Sequence, residues 1–313
     1  MMKYRQFQQK INNPELKISS NLELEFGQNK IAFEGAKIII SSLSTCQNLQ
    51  TLELNLINNK IAAKGKSGIG EAFEHFQSLK ELILHLDSNR MSVSALQKLG
   101  SEISKIKNLQ VLNIGLVNCQ IDTKGLSSFF QALQDSQNLR LLALSLGKGQ
   151  QNIASQLGIS LGNCKNISDL ILRMKKNGIS EKGISELGQW LAKCTSIQTL
   201  ELDIGFNNLG EKGLSSLGSV LQKYENFDNN FKKNDLSDFG LALQNCKNLI
   251  NLSLELGDSK IGNEGVSELC GCIGNILLMQ HLSLQFDSNE LDCETNIARI
   301  AKRKFKYLVK FDI

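Results

Sequence analysis

Cysteine and histidine are the residues of this 313-residue chain that could ligate a metal or carry nucleophilic chemistry. Their tightest grouping is Cys270, Cys272, His281 and Cys293, which contains the side-chain types that bind zinc. The spacing matches no zinc finger or ribbon pattern, and a helix would turn Cys270 and Cys272 to different sides. We therefore predict no metal and no other cofactor.

A second candidate for chemistry is the segment Gly65-Lys66-Ser67, which resembles the end of a phosphate-binding P-loop. That loop needs its first glycine at position 60, where this chain has Lys60. None of the three histidines stands in a nucleophile–base–orienter arrangement that the sequence reveals. We therefore predict that the chain is not an enzyme.

Composition limits the class of protein. Hydrophobic residues make up 41% and charged residues 21%, which is enough apolar material for a large core and excludes wholesale disorder. No run of 18 apolar residues is present, so no membrane span is expected. The first residues contain no apolar segment typical of a secretory signal. We expect an intracellular protein with reduced cysteines, in the cytoplasm or alternatively in the nucleus or a cilium.

The elements that would position any functional residue come from an internal repeat of about thirty residues. Residues 49–65 read LQTLELNLINNKIAAKG, and their skeleton of leucines followed by Asn59 recurs along the chain. The position of Leu52 is occupied in turn by Leu22, Leu52, Leu82, Leu112, Leu142, Leu170, Leu200, Phe227, Leu252 and Leu282. A partial copy closes the chain at residues 308–313.

Each repeat contains two hydrophobic periods. Leu52, Leu54 and Leu56 alternate with polar residues, which predicts a strand with one buried face. The second half of the repeat places apolar residues at helical spacing, which predicts a helix with one buried stripe. Examples of that stripe are Ala36, Ile39, Leu43, Cys46 and Leu96, Leu99, Ile103, Ile106. A glycine between the halves, such as Gly35, Gly65, Gly125 or Gly183, suits a turn into the helix.

This skeleton resembles the leucine-rich repeat in its ribonuclease-inhibitor-like subtype, over residues 18–313. The strand is two residues longer than usual, as in the repeat arrays of ciliate leucine-rich-repeat proteins. The resemblance implies an α/β solenoid of about ten strand–loop–helix repeats in an open arc, with parallel strands on the concave face and helices on the convex face. It also implies that the asparagine after each strand is buried and bonds to the backbone, with Cys119 once in its place. Those asparagines are Asn29, Asn59, Asn89, Asn177, Asn207 and Asn289.

Three segments depart from the regular array of residues 18–293. Residues 1–17 and 294–313 are predicted to cap its two ends. Residues 222–248 form a degenerate repeat, with either a poor strand near Phe227 or a helix stripe from Leu236 to Cys246. The C-terminal cap is basic, and as an alternative to capping it could bind an anionic surface or act as a nuclear-localisation-like patch. Its basic residues include Arg299, Lys302, Arg303, Lys304 and Lys306.

The outward positions of the predicted strands form the candidate interaction surface. Their charges are of mixed sign, which argues against nucleic acid and favours a protein partner. The contact residues we predict are His85, Asp87, Arg173, Lys175, Glu201, Asp203 and Glu255. The leading hypothesis is a protein-interaction scaffold, and a regulatory arm of a larger, kinase-like system is the alternative. The partner's identity and the oligomeric state stay open.

Overall fold

The computed structural model describes residues 17–62, 69, 72–147, 153–162, 164–180, 183–184, 186–187, 190–191, 196–207, 248–257, 270, 273–274 and 278–286. The chain divides into two compact units, Met1–Gly149 and Gln150–Ile313, which are described one at a time. The predicted N-terminal cap lies outside the described residues except for Lys17, and so does the degenerate repeat except for Asn248. The basic C-terminal cap lies outside them entirely.

The first unit repeats the order strand then helix. Its described elements are β1 (Asn21–Glu25), α1 (Ala32–Leu43), β2 (Thr51–Asn55), a 3-10 helix (Phe73–His75), β3 (Glu81–His85), α2 (Val93–Ile103), β4 (Val111–Gly115), α3 (Thr123–Leu133) and β5 (Leu141–Ser145). The strands pair in chain order, all parallel. Residues thirty apart lie directly opposite one another, as Leu22, Leu52 and Leu82 do.

The second unit follows the same plan. Its described elements are α4 (Ile153–Leu161), β6 (Asp169–Arg173), β7 (Thr199–Asp203), β8 (Asn251–Glu255) and β9 (His281–Gln285). Strands β6 to β9 pair in chain order and are parallel. The predicted strand position Phe227 falls between β7 and β8 in sequence and lies outside the described residues.

Alternation of side chains explains why these segments are strands with one buried face. In β2 and β3 the leucines Leu52, Leu54, Leu82 and Leu84 are fully buried, while the residues between them are partly exposed. Fully burying one leucine side chain contributes about 1.5–3 kcal/mol. A strand five residues long cannot hide these side chains alone, so each strand depends on its neighbours.

The helical stripes predicted from the sequence pack beneath the sheets. Leu96, Leu99 and Ile103 of α2 are fully buried. Ser92 caps α2 by accepting from the Ala95 N–H at 3.2 Å, and Asp122 caps α3 in the same way. The helical stripe of the sequence is confirmed for α1 and α2. Cys46, which the sequence placed in the same stripe, lies beyond the end of α1 and is 2% exposed.

One expectation about glycine needs correction. Gly35 and Gly125 do not form the turn before the helix but lie within α1 and α3, and Gly183 is also helical. None of the three has a positive φ. A Cβ on Gly125 would approach the Leu96 side chain to 2.9 Å, so a larger residue there would require that side chain to shift.

The predicted fold class, an α/β leucine-rich-repeat solenoid, is confirmed by these features. Short parallel strands follow one another in chain order, and the apolar residues of the described helices pack in the core. No helix among the described residues is both long enough and apolar enough to cross a lipid bilayer.

Candidate functional site

The loops that follow β2, β3, β6 and β7 are each held by a buried asparagine, as the resemblance implied. The Asn89 side chain donates to the carbonyl oxygens of Leu56 and Leu86, at 2.8 and 2.7 Å. Its Oδ1 accepts from the backbone N–H groups of Asn59 and Ile61, one repeat earlier. Asn59, Asn89, Asn177 and Asn207 are all at most 3% exposed, and Asn59 and Asn207 make equivalent bonds. Asn29 is only half-buried, and Asn289 lies outside the described residues.

In the first unit, the residues on either side of this asparagine, or of Cys119 in its place, have left-handed backbone conformations. The pairs are Gln28 and Lys30, Asn58 and Lys60, Ser88 and Arg90, and Asn118 and Gln120. A left-handed conformation costs a non-glycine residue roughly 1–2 kcal/mol. In the first two of these loops, the alternation turns two backbone N–H groups toward one point, where the Oδ1 atom of the asparagine in the next repeat accepts both. The strain is therefore a property of the loop in every described repeat of the first unit.

Cys119 occupies the asparagine position once, as predicted. It is 1% exposed, and its thiol donates to the Leu86 carbonyl oxygen at 3.2 Å. Burial raises the pKa of this thiol to about 11, although nearby backbone N–H groups, including that of Asn89, oppose the change. The neutral thiol is thus a structural substitute for asparagine, and it is a poor nucleophile at neutral pH.

On the outward face of the first unit, two pairs of polar side chains make contacts between neighbouring strands. The Glu25 carboxylate accepts from the Asn55 amide at 2.8 Å, and a ring nitrogen of His85 lies 2.9 Å from Glu53 Oε1. Both side chains of the second pair are about one third exposed. His85 therefore faces outward, as predicted, but it already contacts a carboxylate.

Asp87, which the sequence selected as a partner contact, also makes a contact within the fold. It lies two residues beyond the end of β3, and its Oδ1 accepts from the Val117 N–H at 2.6 Å. A Cβ on Gly115 would lie 2.8 Å from its other carboxylate oxygen, so a side chain larger than glycine would crowd it. The carboxylate of Asp87 thus supports the next loop, and the lack of a side chain at Gly115 makes room for it.

The outward face of the second unit brings together Arg173, Glu201, Asp203 and Glu255, all of which the sequence selected. The Arg173 guanidinium lies 2.7 Å from Glu201 Oε1. The sheet register places Arg173 opposite Asp203, so the ion pair is diagonal. Asp203 instead accepts from the Gly205 N–H at 3.3 Å.

Asp203 and Glu255 form an acidic pair on this face. They are directly opposite one another in the register of β7 and β8. Within the described part of the chain, no cationic group forms an ion pair with either carboxylate. Partial burial raises the pKa of Glu255, and the negative charges of Asp203 and Glu201 raise it further. The nearby cations Lys175 and Arg173 oppose this rise without forming an ion pair with Glu255. Like charges in this arrangement destabilise the isolated sheet.

Sequence reasoning missed Phe206. Its ring is 40% exposed and its backbone is left-handed, with φ of 58°. The ammonium groups of Lys175 and Lys176 lie 4.9 and 4.7 Å from the ring centroid. The repeat could have revealed Phe206, because an aromatic residue occupies the position that Asn58, Ser88 and Asn118 occupy in other repeats.

Chemistry based on metals finds no support in the described part of the chain, where no three His, Cys, Asp or Glu side chains group closely enough to hold an ion. The thiol of Cys270 is buried, and His281 lies exposed at the start of β9. Cys272 and Cys293 lie outside the described residues, as do all five basic-cap residues, Arg299, Lys302, Arg303, Lys304 and Lys306.

Comparison with known proteins gives a likeness of structure. No family model matches the chain, and no curated protein matches it. Among solved structures, the chain is similar to the leucine-rich-repeat ectodomain of the Arabidopsis receptor kinase HAESA, solved with an N-terminally extended IDA peptide hormone. The identity is 16%, the TM-score is 0.41, and the match covers 87% of this chain. The chain spans about a third (35%) of the length of that receptor chain.

Proposed function

We propose that this protein is a non-enzymatic scaffold that binds a protein partner on the outward face of its strands. The observation that carries the proposal is the opposed pair Asp203 and Glu255, whose two carboxylates share one face without a bonded cation among the described residues. A lysine or arginine of a partner placed between them would relieve their repulsion. Such charge complementarity sets specificity and association rate in protein interfaces.

The surroundings of this pair support a protein partner of mixed charge. Arg173 and Glu201 already pair beside it, so the face offers both signs within two strands. Phe206, with Lys175 and Lys176 against its ring, supplies an exposed aromatic residue of the kind that contributes strongly to binding. His85 and Asp87 belong to the corresponding face of the first unit and are proposed as secondary contacts.

We also propose that the repeats are of the ribonuclease-inhibitor-like subtype and that the protein is intracellular. The ribonuclease-inhibitor-like subtype is supported by the helices that alternate with strands in the first unit. An intracellular setting is supported by cysteines such as Cys46 and Cys119, which are buried as apolar core residues.

The test uses the isosteric double variant Asp203→Asn/Glu255→Gln. Removing two opposed charges should raise the free energy of unfolding of the free protein by roughly 0.2–1 kcal/mol. The same change should abolish capture of the partner from a lysate of the cells that express the protein, at physiological salt. Opposite effects on stability and binding separate an interaction role from a structural one.

The matched control is Asp135→Asn/Glu74→Gln, which removes the same two residue types from exposed positions outside the strands. Proteins retained by the wild-type chain and by this control, but lost from the sheet-face variant, would support the proposal. If the set of captured proteins is the same for all three chains, the sheet-face assignment is wrong.

A further inference from the structure

A row of three cations lines the edge of the first unit, at the second left-handed position of consecutive loops. The residues are Lys30, Lys60 and Arg90, and we call them the cation row. All three are exposed. Adjacent parallel strands are about 4.8 Å apart, so equivalent residues of neighbouring loops stand close together. No carboxylate of the described residues forms an ion pair with any member of the row.

The fold does not require positive charge at this position. The left-handed conformation favours glycine or asparagine, and Gln120 occupies the equivalent position in the next loop without a charge. Three neighbouring cations repel one another, and none of them forms an ion pair with a carboxylate of the described residues. Their presence therefore calls for an explanation outside the fold itself.

A recess of about 410 Å³ opens beside two members of the row. Of the described residues, Asn58, Lys60, Ser88, Asn89 and Arg90 line it. Lys60, Arg90 and Ser88 carry the donor groups, an ammonium, a guanidinium and a hydroxyl, that an anion at this recess would need.

The one acidic residue adjoining this lining in sequence is Asp87. Its Oδ1 is already bonded to the Val117 N–H, and its Oδ2 lies toward Gly115. Both carboxylate oxygens are thus directed toward the following strand. The negative charge of Asp87 is partly compensated there, and the recess keeps its cationic character.

We propose that this recess binds a phosphate monoester carried on a side chain of another protein. A phosphoryl group presents three acceptor oxygens and close to two negative charges, which matches a guanidinium and an ammonium in neighbouring loops. The recess is larger than a phosphate ion, so it has room for the side chain that carries the group. This site is separate from the sheet face of the second unit and does not depend on a partner binding there.

The surroundings favour a phosphorylated protein segment over other phosphate sources. A membrane surface would need apolar side chains to insert, whereas Ile61 and Met91 beside the row are buried. A nucleic acid strand would need a longer basic groove with aromatic side chains, and none of the described residues that line the recess is aromatic.

The test titrates the isotopically labelled full chain with the peptide Gly-Gly-phosphoserine-Gly-Gly and follows amide chemical shifts. We expect saturable shifts at residues 58–60 and 88–90, with no response to the unphosphorylated peptide. The variant Lys60→Gln/Arg90→Gln should weaken binding by about tenfold or more, since each lost contact is a charge-assisted hydrogen bond. Gln120 shows that glutamine is compatible with this loop position.

The matched control is Lys80→Gln/Arg140→Gln, which removes one lysine and one arginine from exposed positions at the other end of the strands. It should bind within about twofold of the wild type, because its charges are more than a screening length of about 8 Å from the recess at physiological salt. Circular dichroism and urea unfolding check that both variants fold.

Four results would overturn the assignment. They are the absence of saturable shifts, an equal loss of binding in the control variant, binding of inorganic phosphate as tight as that of the phosphopeptide, and a preference for vesicles containing phosphatidic acid. The third would assign the site to free phosphate, and the fourth would assign it to a lipid headgroup.

Discussion

Replacing Asn89 by alanine tests whether buried asparagine side chains hold the loops together. The substitution removes the acceptor of two buried backbone N–H groups, those of Asn59 and Ile61. It also removes the donor to the buried carbonyl oxygens of Leu56 and Leu86. Each buried backbone group left without a partner costs about 1–3 kcal/mol. Partial relaxation reduces the sum, so we expect a loss of about 3–5 kcal/mol in the free energy of unfolding.

The assay is urea unfolding followed by circular dichroism, together with amide hydrogen exchange at Asn59 and Ile61. The control is Asn108→Ala, which removes a single hydrogen bond to the Gln77 carbonyl oxygen at an exposed site. That change should cost at most about 1 kcal/mol. If Asn89→Ala costs no more than the control, or if exchange at Asn59 and Ile61 is unchanged, the proposed role of the asparagines is wrong.

Three further predictions concern packing and charge. Gly100→Ala should lower the free energy of unfolding of the first unit by about 1–3 kcal/mol in urea, because its Cβ would lie 2.6 Å from the Phe129 carbonyl oxygen in the neighbouring helix. An unchanged free energy of unfolding would show that α2 and α3 can move apart without cost. Because the folded pKa of Cys119 is about 11 against an ordinary 9.0, its contribution is complete below pH 9 and declines by about 2–3 kcal/mol as the pH rises to 11. The difference between wild type and Cys119→Ser, measured from pH 8 to 11, isolates this effect, and a difference independent of pH would contradict it. Arg173→Gln should change stability by less than about 1 kcal/mol, because its pair with Glu201 is exposed, and a larger loss in thermal unfolding would show a structural role for the pair.

The sequence predicted the elements well because each one repeats the same two hydrophobic periods. The strand leucines and the helix stripe of Leu96, Leu99 and Ile103 are buried as expected. The asparagine position and its single cysteine followed from the family resemblance. The helical glycines were misplaced by a few residues, since a small residue is needed equally by a turn and by close helix packing.

The contacts on the sheet face were harder to predict than the face itself. Register alone pairs Arg173 with Asp203 and His85 with Asn55. The observed partners are Glu201 and Glu53, each reached diagonally. Long side chains reach across to diagonal neighbours, and rotamers decide which acceptor is used. The cation row could not be predicted either, because the loop conformations place Lys30, Lys60 and Arg90 at equivalent positions.

The proposed binding surface is the strand face, and not the helix side. The most direct measurement places a photo-crosslinking amino acid at Ser253, in the middle of β8, or at Ile159, an exposed residue of α4. Both chains are irradiated in a lysate of the expressing cells at physiological salt, and the products are identified by mass spectrometry. We expect a discrete crosslinked protein from position 253 and none from position 159. Crosslinks from position 159 alone would contradict it.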